Sequence, residues 1–204
     1  MAARAYRTVE ESAEGAHPLL GPLEKDDNGV ISFTSYYDPA QLWVLSEHVV
    51  GGIPVLPGTA YIEIARATMQ AAASNRKWEL QSLSLLSPMV FPEGVRARVT
   101  VSLTPNEQGY EFQVQSALTA DAPMTEHCRA RLVFKRLNDR KIPRALQTVS
   151  ALSVSDNSGR DSQAELIDFG PRWDNVGEIR LGDGEVEGNF ALADAFVSDL
   201  ETYA

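Results

Sequence analysis

A histidine is followed by glycines and prolines in the stretch HVVGGIPVLPG, residues 48–58, and a helix-like run over 59–73 begins immediately after it. The first N–H groups of an α-helix have no partner within the helix, so a helix start favours negative charge. A neutral imidazole can accept a proton, and nearby N–H groups can hold the charge that then develops on a carbonyl oxygen. With His48 placed ahead of a helix start, the stretch suits removal of a proton next to a thioester carbonyl.

The spacing of His48, Gly52 and Pro57 resembles the HxxxGxxxxP motif of the dehydratase domains of modular polyketide synthases and animal-type fatty acid synthases, which have a double hot-dog fold. Flanking segments resemble the same domains: LWVL at 42–45, LPGTAY at 56–61 and HPLLG at 17–21. Residues 165–173, ELIDFGPRW, resemble the YGPxF motif that opens the second hot-dog, with Phe169 replacing the tyrosine and Trp173 the phenylalanine. Because these motifs occur in order, the chain is identified as a member of this family.

The resemblance implies a substrate and a role for each motif residue. The substrate is a 3-hydroxyacyl chain on the phosphopantetheine arm of an acyl carrier protein, and the product is the 2,3-enoyl thioester. His48 is the expected catalytic base, and Gly52, Pro57 and Gly58 are the expected substrate-binding residues. Backbone N–H groups near Gly52 and at the helix start, Gly58 and Thr59, polarise the thioester oxygen; Gly52 is expected because a residue without Cβ lets the backbone approach closely. Loss of water needs no metal or redox cofactor.

A second catalytic group of the family is an aspartate in an HPxxLD-like motif on the central helix of the second hot-dog, and that motif is not present in this sequence. The aspartate protonates the departing hydroxyl, and a paired carboxylate also fixes the orientation and tautomer of an imidazole. No aspartate after residue 163 follows a His-Pro pair, so none of Asp168, Asp174, Asp183, Asp194 and Asp199 is assigned. We therefore expect a dehydratase domain truncated before its acid, with poor turnover by this chain alone.

The run over 59–73 has one narrow polar stripe, because Glu63, Arg66 and Gln70 fall at spacings of three and four. The other positions of the run are mostly apolar: Ala60, Tyr61, Ile62, Ile64, Ala65, Ala67, Met69, Ala71, Ala72 and Ala73. This pattern predicts a mostly buried helix, and its alanines permit a sheet to approach closely.

Strict alternation of apolar and polar residues predicts strands over 95–103, 110–115 and 128–134, with a shorter strand over 30–34. Asn28-Gly29 supplies the positive φ angles of a hairpin turn before that shorter strand. One buried helix with consecutive antiparallel strands predicts an α+β fold. The name hot-dog, an antiparallel sheet wrapped around a central helix, comes from the resemblance.

Composition shifts divide the chain into four parts. Residues 1–16 are predicted to be a polar leader, 17–137 the N-terminal hot-dog, 138–163 a polar linker, and 164–204 the start of the C-terminal hot-dog. In this last part, a hairpin over 179–192 is predicted after the motif at 165–173. The arrangement predicts the first half of a double hot-dog and only the opening strands of its second half.

Charge and composition exclude several classes of protein. A net charge of -10 argues against a nucleic-acid or anionic-membrane partner. The chain has no apolar run long enough to cross a bilayer and no secretion signal at its start, so a cytoplasmic location is expected. The resemblance implies an acyl carrier protein and other polyketide synthase domains as partners, with pairing of two copies in a homodimer left open. Arg96, Arg98, Arg129 and Arg131 alternate along strands, where a solvated face is favoured over a carrier-protein surface.

The other chemically capable residues are interpreted as structural. His17 is expected to be structural and His127 exposed at a strand start, and the spacing of the three histidines does not support a metal site. The single cysteine, Cys128, excludes an internal disulfide and fits a small core residue better than a nucleophile.

Two alternatives to a dehydratase remain open from the sequence. One is a non-catalytic hot-dog fragment or scaffold that docks a carrier protein or dimerises, which the missing aspartate would favour. The other is a hot-dog acyl-thioesterase, which needs an acidic residue near the central helix to activate water. Glu63 is the candidate for that role, although its spacing from Arg66 fits a surface ion pair.

Overall fold

A computed structural model of the chain describes residues 17–135, 152–153, 166–181 and 186–203. The predicted leader, 1–16, and nearly all of the predicted linker, 138–163, lie outside the described residues, so these boundaries stay predictions. Within the linker range, the two described residues form a short strand, β9 (Leu152–Ser153), which pairs with β11 (Val176–Leu181).

The main sheet is antiparallel and has six strands in the order β1-β2-β6-β7-β8-β5. Its strands are β1 (Leu23–Lys25), β2 (Ile31–Tyr37), β5 (Trp78–Leu85), β6 (Ala97–Asn106), β7 (Gly109–Ala117) and β8 (Thr125–Phe134). Alternate residues of β6 are buried because successive side chains point to opposite faces of a sheet. In register, Val101 pairs with Phe33 on one side and with Val114 on the other, and all three side chains are buried. The predicted strands are confirmed.

Strand β5 was not predicted, and its irregularity explains why. Its register with β8 shifts between Gln81 and Ser84, and Ser82 has a φ of 53°. A bulge of this kind inserts an extra residue into one strand, so the apolar positions change phase from 78 and 80 to 83 and 85. A search for strict alternation therefore passes over the strand.

The predicted central helix is α2 (Gly58–Ala73). Its buried residues are Ala60, Tyr61, Ile64, Ala65, Ala67, Thr68 and Met69. Several of them join one hydrophobic cluster with the inward residues of the sheet, including Phe112, Val114 and Leu132. The expectation was wrong for Ile62, which is 48% exposed and lies on the outer side of the helix. The arrangement confirms the predicted α+β architecture, with the sheet packed on a central helix.

Two of the residues interpreted as structural lie in strand β8. Cys128 is buried, and burial raises the pKa of its thiol to about 11, so it is not a thiolate nucleophile at neutral pH. The prediction for His127 was wrong, because this side chain is buried and not exposed. Its Nε2 lies 2.7 Å from Ser116 Oγ and its Nδ1 lies 3.1 Å from the carbonyl oxygen of Ser87. Two neighbouring hydrogen-bonding groups allow the imidazole to be buried.

Two smaller sheets involve the C-terminal segments. Strand β10 (Ile167–Phe169) pairs with β3 (His48–Val50), which pairs with β4 (Ile53–Pro54). Strand β12 (Val186–Phe190) pairs with β11 and confirms the predicted hairpin, whose turn at 182–184 lies outside the described residues. Short helices complete the described chain: α1 (Trp43–Ser46), α3 (Asp199–Tyr203) and two 3-10 turns, Pro171–Trp173 and Asp194–Phe196.

Candidate active site

His48 begins strand β3, directly after the short helix α1 and Glu47. Val44 and Leu45 of α1 are buried in the hydrophobic core and fix the start of the strand. The Nδ1 atom of His48 lies 2.8 Å from the carbonyl oxygen of Val55, and the backbone N–H of Val55 donates to the carbonyl of His48 over 3.0 Å. A carbonyl oxygen can only accept, so Nδ1 of the neutral ring carries the proton. The unprotonated Nε2 is then the atom that can accept one.

The tautomer is thus fixed by the backbone carbonyl of Val55, the residue that follows strand β4. The carboxylate that the family resemblance implied for this purpose is not what Nδ1 contacts, since its partner is the Val55 carbonyl. The sequence carried no signal for this contact, because any residue at position 55 supplies a carbonyl.

Two aromatic rings lie against the imidazole of His48. Phe169 pairs with His48 across β10 and β3, and their ring centroids are 5.6 Å apart. The Trp173 ring centroid is 5.5 Å from that of His48 and 5.4 Å from that of Phe169. The segment that resembles the YGPxF motif therefore forms one wall of the site beside His48.

An ion-pair network holds this aromatic segment next to the base. The Glu47 carboxylate accepts the backbone N–H of Arg172 over 2.8 Å and also contacts the Arg172 guanidinium. On its other side, Nε of Arg172 donates to Asp199 over 2.6 Å. Hydrogen bonds to Asp199 and Glu47 raise the pKa of Arg172, so the guanidinium stays charged. None of these three residues was predicted to belong to the site.

Gly51 and Gly52 form the turn between β3 and β4. Their φ angles are 56° and 80°, and two positive φ values are what a two-residue type I′ hairpin turn requires. A Cβ on Gly52 would meet no atom of the described residues within 4 Å. The glycine is therefore required for its backbone conformation, and the space beside it is open among the described residues. The contact of the Gly52 N–H with a thioester oxygen stays a prediction.

Helix α2 begins at Gly58, with Pro57 as the preceding cap residue at φ -68° and ψ 151°. Proline offers no side-chain acceptor, so it leaves the first N–H groups of the helix to other partners; that of Ala60 returns to the carbonyl of Pro57. Gly58 lies three residues after Val55, the residue that faces His48. Its ideal Cβ position is 3.3 Å from Leu85, so a larger residue would crowd β5. Pro57 and Gly58 thus mark the helix start, two and three residues after Val55, whose carbonyl contacts His48.

His17 contacts Glu63 of helix α2. His17 Nε2 is 2.8 Å from Glu63 Oε1, and the same carboxylate is held by Arg66 over 2.8 Å. Arg66 also donates to the backbone carbonyl of Tyr203, whose ring lies edge-on to His17 with centroids 5.2 Å apart. The contacts are those of a structural residue for His17, and Glu63 is engaged by two partners, which weakens its case as a water-activating carboxylate.

The strand arginines are largely engaged by other side chains. Arg129 pairs with Glu126 over 2.6 Å, Arg131 donates to Ser82 over 3.2 Å, and Arg96 lies 4.8 Å from the ring of Tyr36. These contacts fit the solvated strand face that the sequence analysis favoured. Among the helices that the structure describes, none is long and apolar enough to cross a membrane.

Comparison with known proteins identifies relatives of this chain. A profile of the family described as polyketide synthase dehydratase domain matches residues 17–117. Polyketide synthase PksN of Bacillus subtilis is 29% identical over 203 residues, which cover 92% of this chain and 4% of that protein. Polyketide synthase ThaG of Burkholderia thailandensis is 30% identical over 131 residues, covering 62% of this chain and 2% of that protein. The chain thus spans only a small part of the curated relatives that it matches.

Among solved structures, the dehydratase domain from the CurF module of curacin polyketide synthase matches with a TM-score of 0.76 and 20% identity, covering 92% of this chain and 70% of that one. At this level of identity the match concerns the fold, and it confirms the predicted hot-dog architecture.

Proposed function

This chain belongs to the family of polyketide synthase dehydratase domains, and from that premise we propose that it eliminates water from a 3-hydroxyacyl thioester. The substrate is carried on the phosphopantetheine arm of an acyl carrier protein, and the reaction takes no metal or redox cofactor. His48 removes the proton next to the thioester carbonyl, the carbon–carbon double bond forms, and the hydroxyl leaves from the neighbouring carbon as water after receiving a proton. The chain acts in the cytoplasm with other polyketide synthase domains, and pairing of two copies remains part of this proposal.

The observation that carries the proposal is the hydrogen bond from His48 Nδ1 to the Val55 carbonyl over 2.8 Å. It selects the tautomer whose Nε2 is a proton acceptor, which is the state that a general base needs. Phe169 and Trp173 restrict the ring from one side, so the imidazole cannot turn freely away from a bound substrate.

Negative charge develops on the thioester oxygen as the proton leaves. The start of helix α2 at Gly58 and Thr59 is suited to hold it, because first-turn N–H groups and the helix dipole both favour an anion. Pro57 supports this role because its side chain offers these N–H groups no competing acceptor. Gly52 contributes by closing the hairpin that brings Val55 opposite His48.

The proton for the departing hydroxyl comes from an acid that we do not assign to a residue of this chain. Two solved structures of the CurK dehydratase are described as inactive mutants, one with a histidine replaced by phenylalanine and one with an aspartate replaced by asparagine. In that protein a histidine and an aspartate are therefore both needed. By analogy, His48 corresponds in role to the histidine.

The test is intact-mass measurement of a 3-hydroxybutyryl acyl carrier protein incubated with the protein as its gene encodes it. We expect loss of the mass of one water with the native protein and no loss with His48→Ala. His17→Gln is the matched control, since it also removes an imidazole, one whose Nε2 is engaged by Glu63. A substrate left intact by the native protein would favour the scaffold alternative, and release of free 3-hydroxybutyrate would favour the thioesterase.

A further inference from the structure

We propose that Glu47 and Arg172 form a positioning pair for His48, holding the aromatic wall of Phe169 and Trp173 against the base. This inference rests on the proposed role of His48 and deepens it, because it names residues that act on the base through other side chains. Glu47 is the residue before His48, whereas Arg172 lies 125 residues further along the chain.

The pair combines two kinds of contact in a poorly exposed place. Glu47 and Arg172 side chains are 12% and 22% exposed, respectively. One Glu47 oxygen accepts the backbone N–H of Arg172 and the other contacts its guanidinium, so the carboxylate holds both the main chain and the side chain of the same residue. Such a two-point contact fixes orientation as well as distance.

Backbone contacts also join the segment of Arg172 to Glu47. The N–H of Gly170 donates to the carbonyl of Glu47 over 2.9 Å, and an added Cβ on Gly170 would overlap the Glu47 side chain. Gly170 therefore permits the close approach of the two segments. The 3-10 turn Pro171–Trp173 begins right there, so the position of the Trp173 ring follows from where Arg172 is held.

Arg172 is itself held on three further sides. Its Nε donates to Asp199, and its guanidinium carbon lies 4.3 Å from the ring centroid of Phe196 and 5.1 Å from that of Trp43. Trp43 belongs to helix α1, which leads into His48. Arg172 thus connects the segment after the aromatic wall, which holds Phe196 and Asp199, to the helix that precedes the base.

Glu47 is a positioning residue and not the acid of the reaction. Both oxygens of its carboxylate are engaged by Arg172, one by the backbone N–H and the other by the guanidinium. Its effect on dehydration therefore passes through the place of the rings beside His48.

The test uses Glu47→Gln, which keeps an acceptor for the backbone N–H of Arg172 but removes the charge. The first readout is the Cε1–H resonance of His48 in protein with carbon-13-labelled histidine, assigned by its loss in His48→Ala. The neighbouring rings shift this resonance, so we expect it to move in Glu47→Gln and in Arg172→Gln. The second readout is dehydration of the 3-hydroxybutyryl acyl carrier protein, where we expect kcat to fall about 10-fold or more with a much smaller change in KM.

The matched control is Glu126→Gln, which removes a carboxylate with 21% side-chain exposure from an ion pair with Arg129 in the main sheet. We expect neither readout to change in it. Arg172→Lys keeps the positive charge but loses the planar guanidinium, so we expect its kcat to lie between those of Arg172→Gln and the native protein. If Glu47→Gln does not fold, the comparison of Arg172→Lys with Arg172→Gln supplies the test.

An unchanged His48 resonance in folded Glu47→Gln or Arg172→Gln would overturn the positioning proposal, even if stability falls. The resonance is measured without substrate. If the native protein does not dehydrate the probe, the proposed function fails while the positioning of the ring is still decided.

Discussion

The Nδ1 atom of His48 lies 2.8 Å from the carbonyl oxygen of Val55, seven residues further along the chain. The hairpin between them makes this contact, since β3 and β4 pair Val49 with Pro54 and Val50 with Ile53. A backbone carbonyl is present whatever the side chain, so the tautomer of the candidate base is set by strand register. Function at His48 therefore depends on correct formation of a two-residue turn.

The first prediction concerns the tautomer itself. Free histidine favours the proton on Nε2, whereas the contact with Val55 requires it on Nδ1. Long-range nitrogen–proton correlation spectra of nitrogen-15-labelled protein, recorded where His48 is neutral, should show a protonated Nδ1 and an unprotonated Nε2. His17 and His127 provide internal comparison. A protonated Nε2 at His48 would contradict the role of this atom as a proton acceptor.

The second prediction separates two reasons for a glycine at position 52. Because Gly52 has a φ of 80°, Gly52→Ala should lower the free energy of unfolding by about 1 kcal/mol, and Gly52→Asn by less, since asparagine tolerates left-handed backbone. If close approach were the requirement, the smaller alanine would be the milder change. Urea unfolding of the two variants decides between the orders. Gly94→Ala, at φ 69° in another loop, is the control for the conformational cost.

The third prediction tests the close contact between Gly170 and Glu47. The backbone of Gly170 is extended, at φ -77° and ψ 176°, so alanine is acceptable there on conformational grounds. The added Cβ would overlap the Glu47 side chain, and we expect Gly170→Ala to cost about 1–3 kcal/mol of unfolding free energy. In a Glu47→Gly background, which removes the Cβ of residue 47 as well as its Cγ and Cδ, the same change should cost much less. Additive effects in this double-mutant cycle would exclude the contact.

Elements with a regular apolar pattern could be predicted from the sequence, and an irregular strand could not. Helix α2 and strand β6 were predicted because their apolar residues repeat with one period along their length. Strand β5 was not, since the bulge at Ser82 changes the phase of its apolar positions midway. Periodicity also could not say that Ile62 would lie on the open side of α2, because the sheet covers only part of the helix surface.

Site residues that are close together in the sequence could be predicted, and those that are far apart could not. His48, Gly52 and Gly58 lie in one short motif and could be singled out from it, but Gly52 was chosen for close approach and the turn that it forms with Gly51 was not predicted. Glu47 and Arg172 are 125 residues apart, and neither has a local pattern that indicates its partner. Such pairs arise from the packing of separate segments, so a single sequence gives no sign of them.

The fourth prediction compares two isoleucines on the central helix. Ile64 is fully buried and Ile62 is 48% exposed. Ile64→Ala removes buried methyl groups and leaves a cavity, so it should lower the free energy of unfolding by about 2–5 kcal/mol. Ile62→Ala should change it by no more than about 0.5 kcal/mol. Both variants replace isoleucine by alanine in the same helix, so the change in helix propensity is the same and cancels when the two losses of unfolding free energy are compared. Equal losses in urea unfolding would contradict the orientation of α2 against the sheet.

The fifth prediction concerns the buried imidazole of His127. The Ser87 carbonyl accepts from its Nδ1–H and its Nε2 accepts from the Ser116 hydroxyl, and burial lowers its pKa below the ordinary value of 6.5. As pH falls through 6.5, the unfolded chain binds this proton before the native protein does, so the free energy of unfolding should decrease. Urea unfolding at about pH 7.5 and about pH 5.5 should show a smaller decrease in His127→Asn than in the native protein. Burial also lowers the pKa of His17, so His17→Gln is the matched variant. It should retain the part of the pH-dependent decrease in unfolding free energy that is due to His127. An unaltered decrease in His127→Asn would mean that the imidazole binds its proton as readily in the native protein as in the unfolded chain, contrary to this prediction.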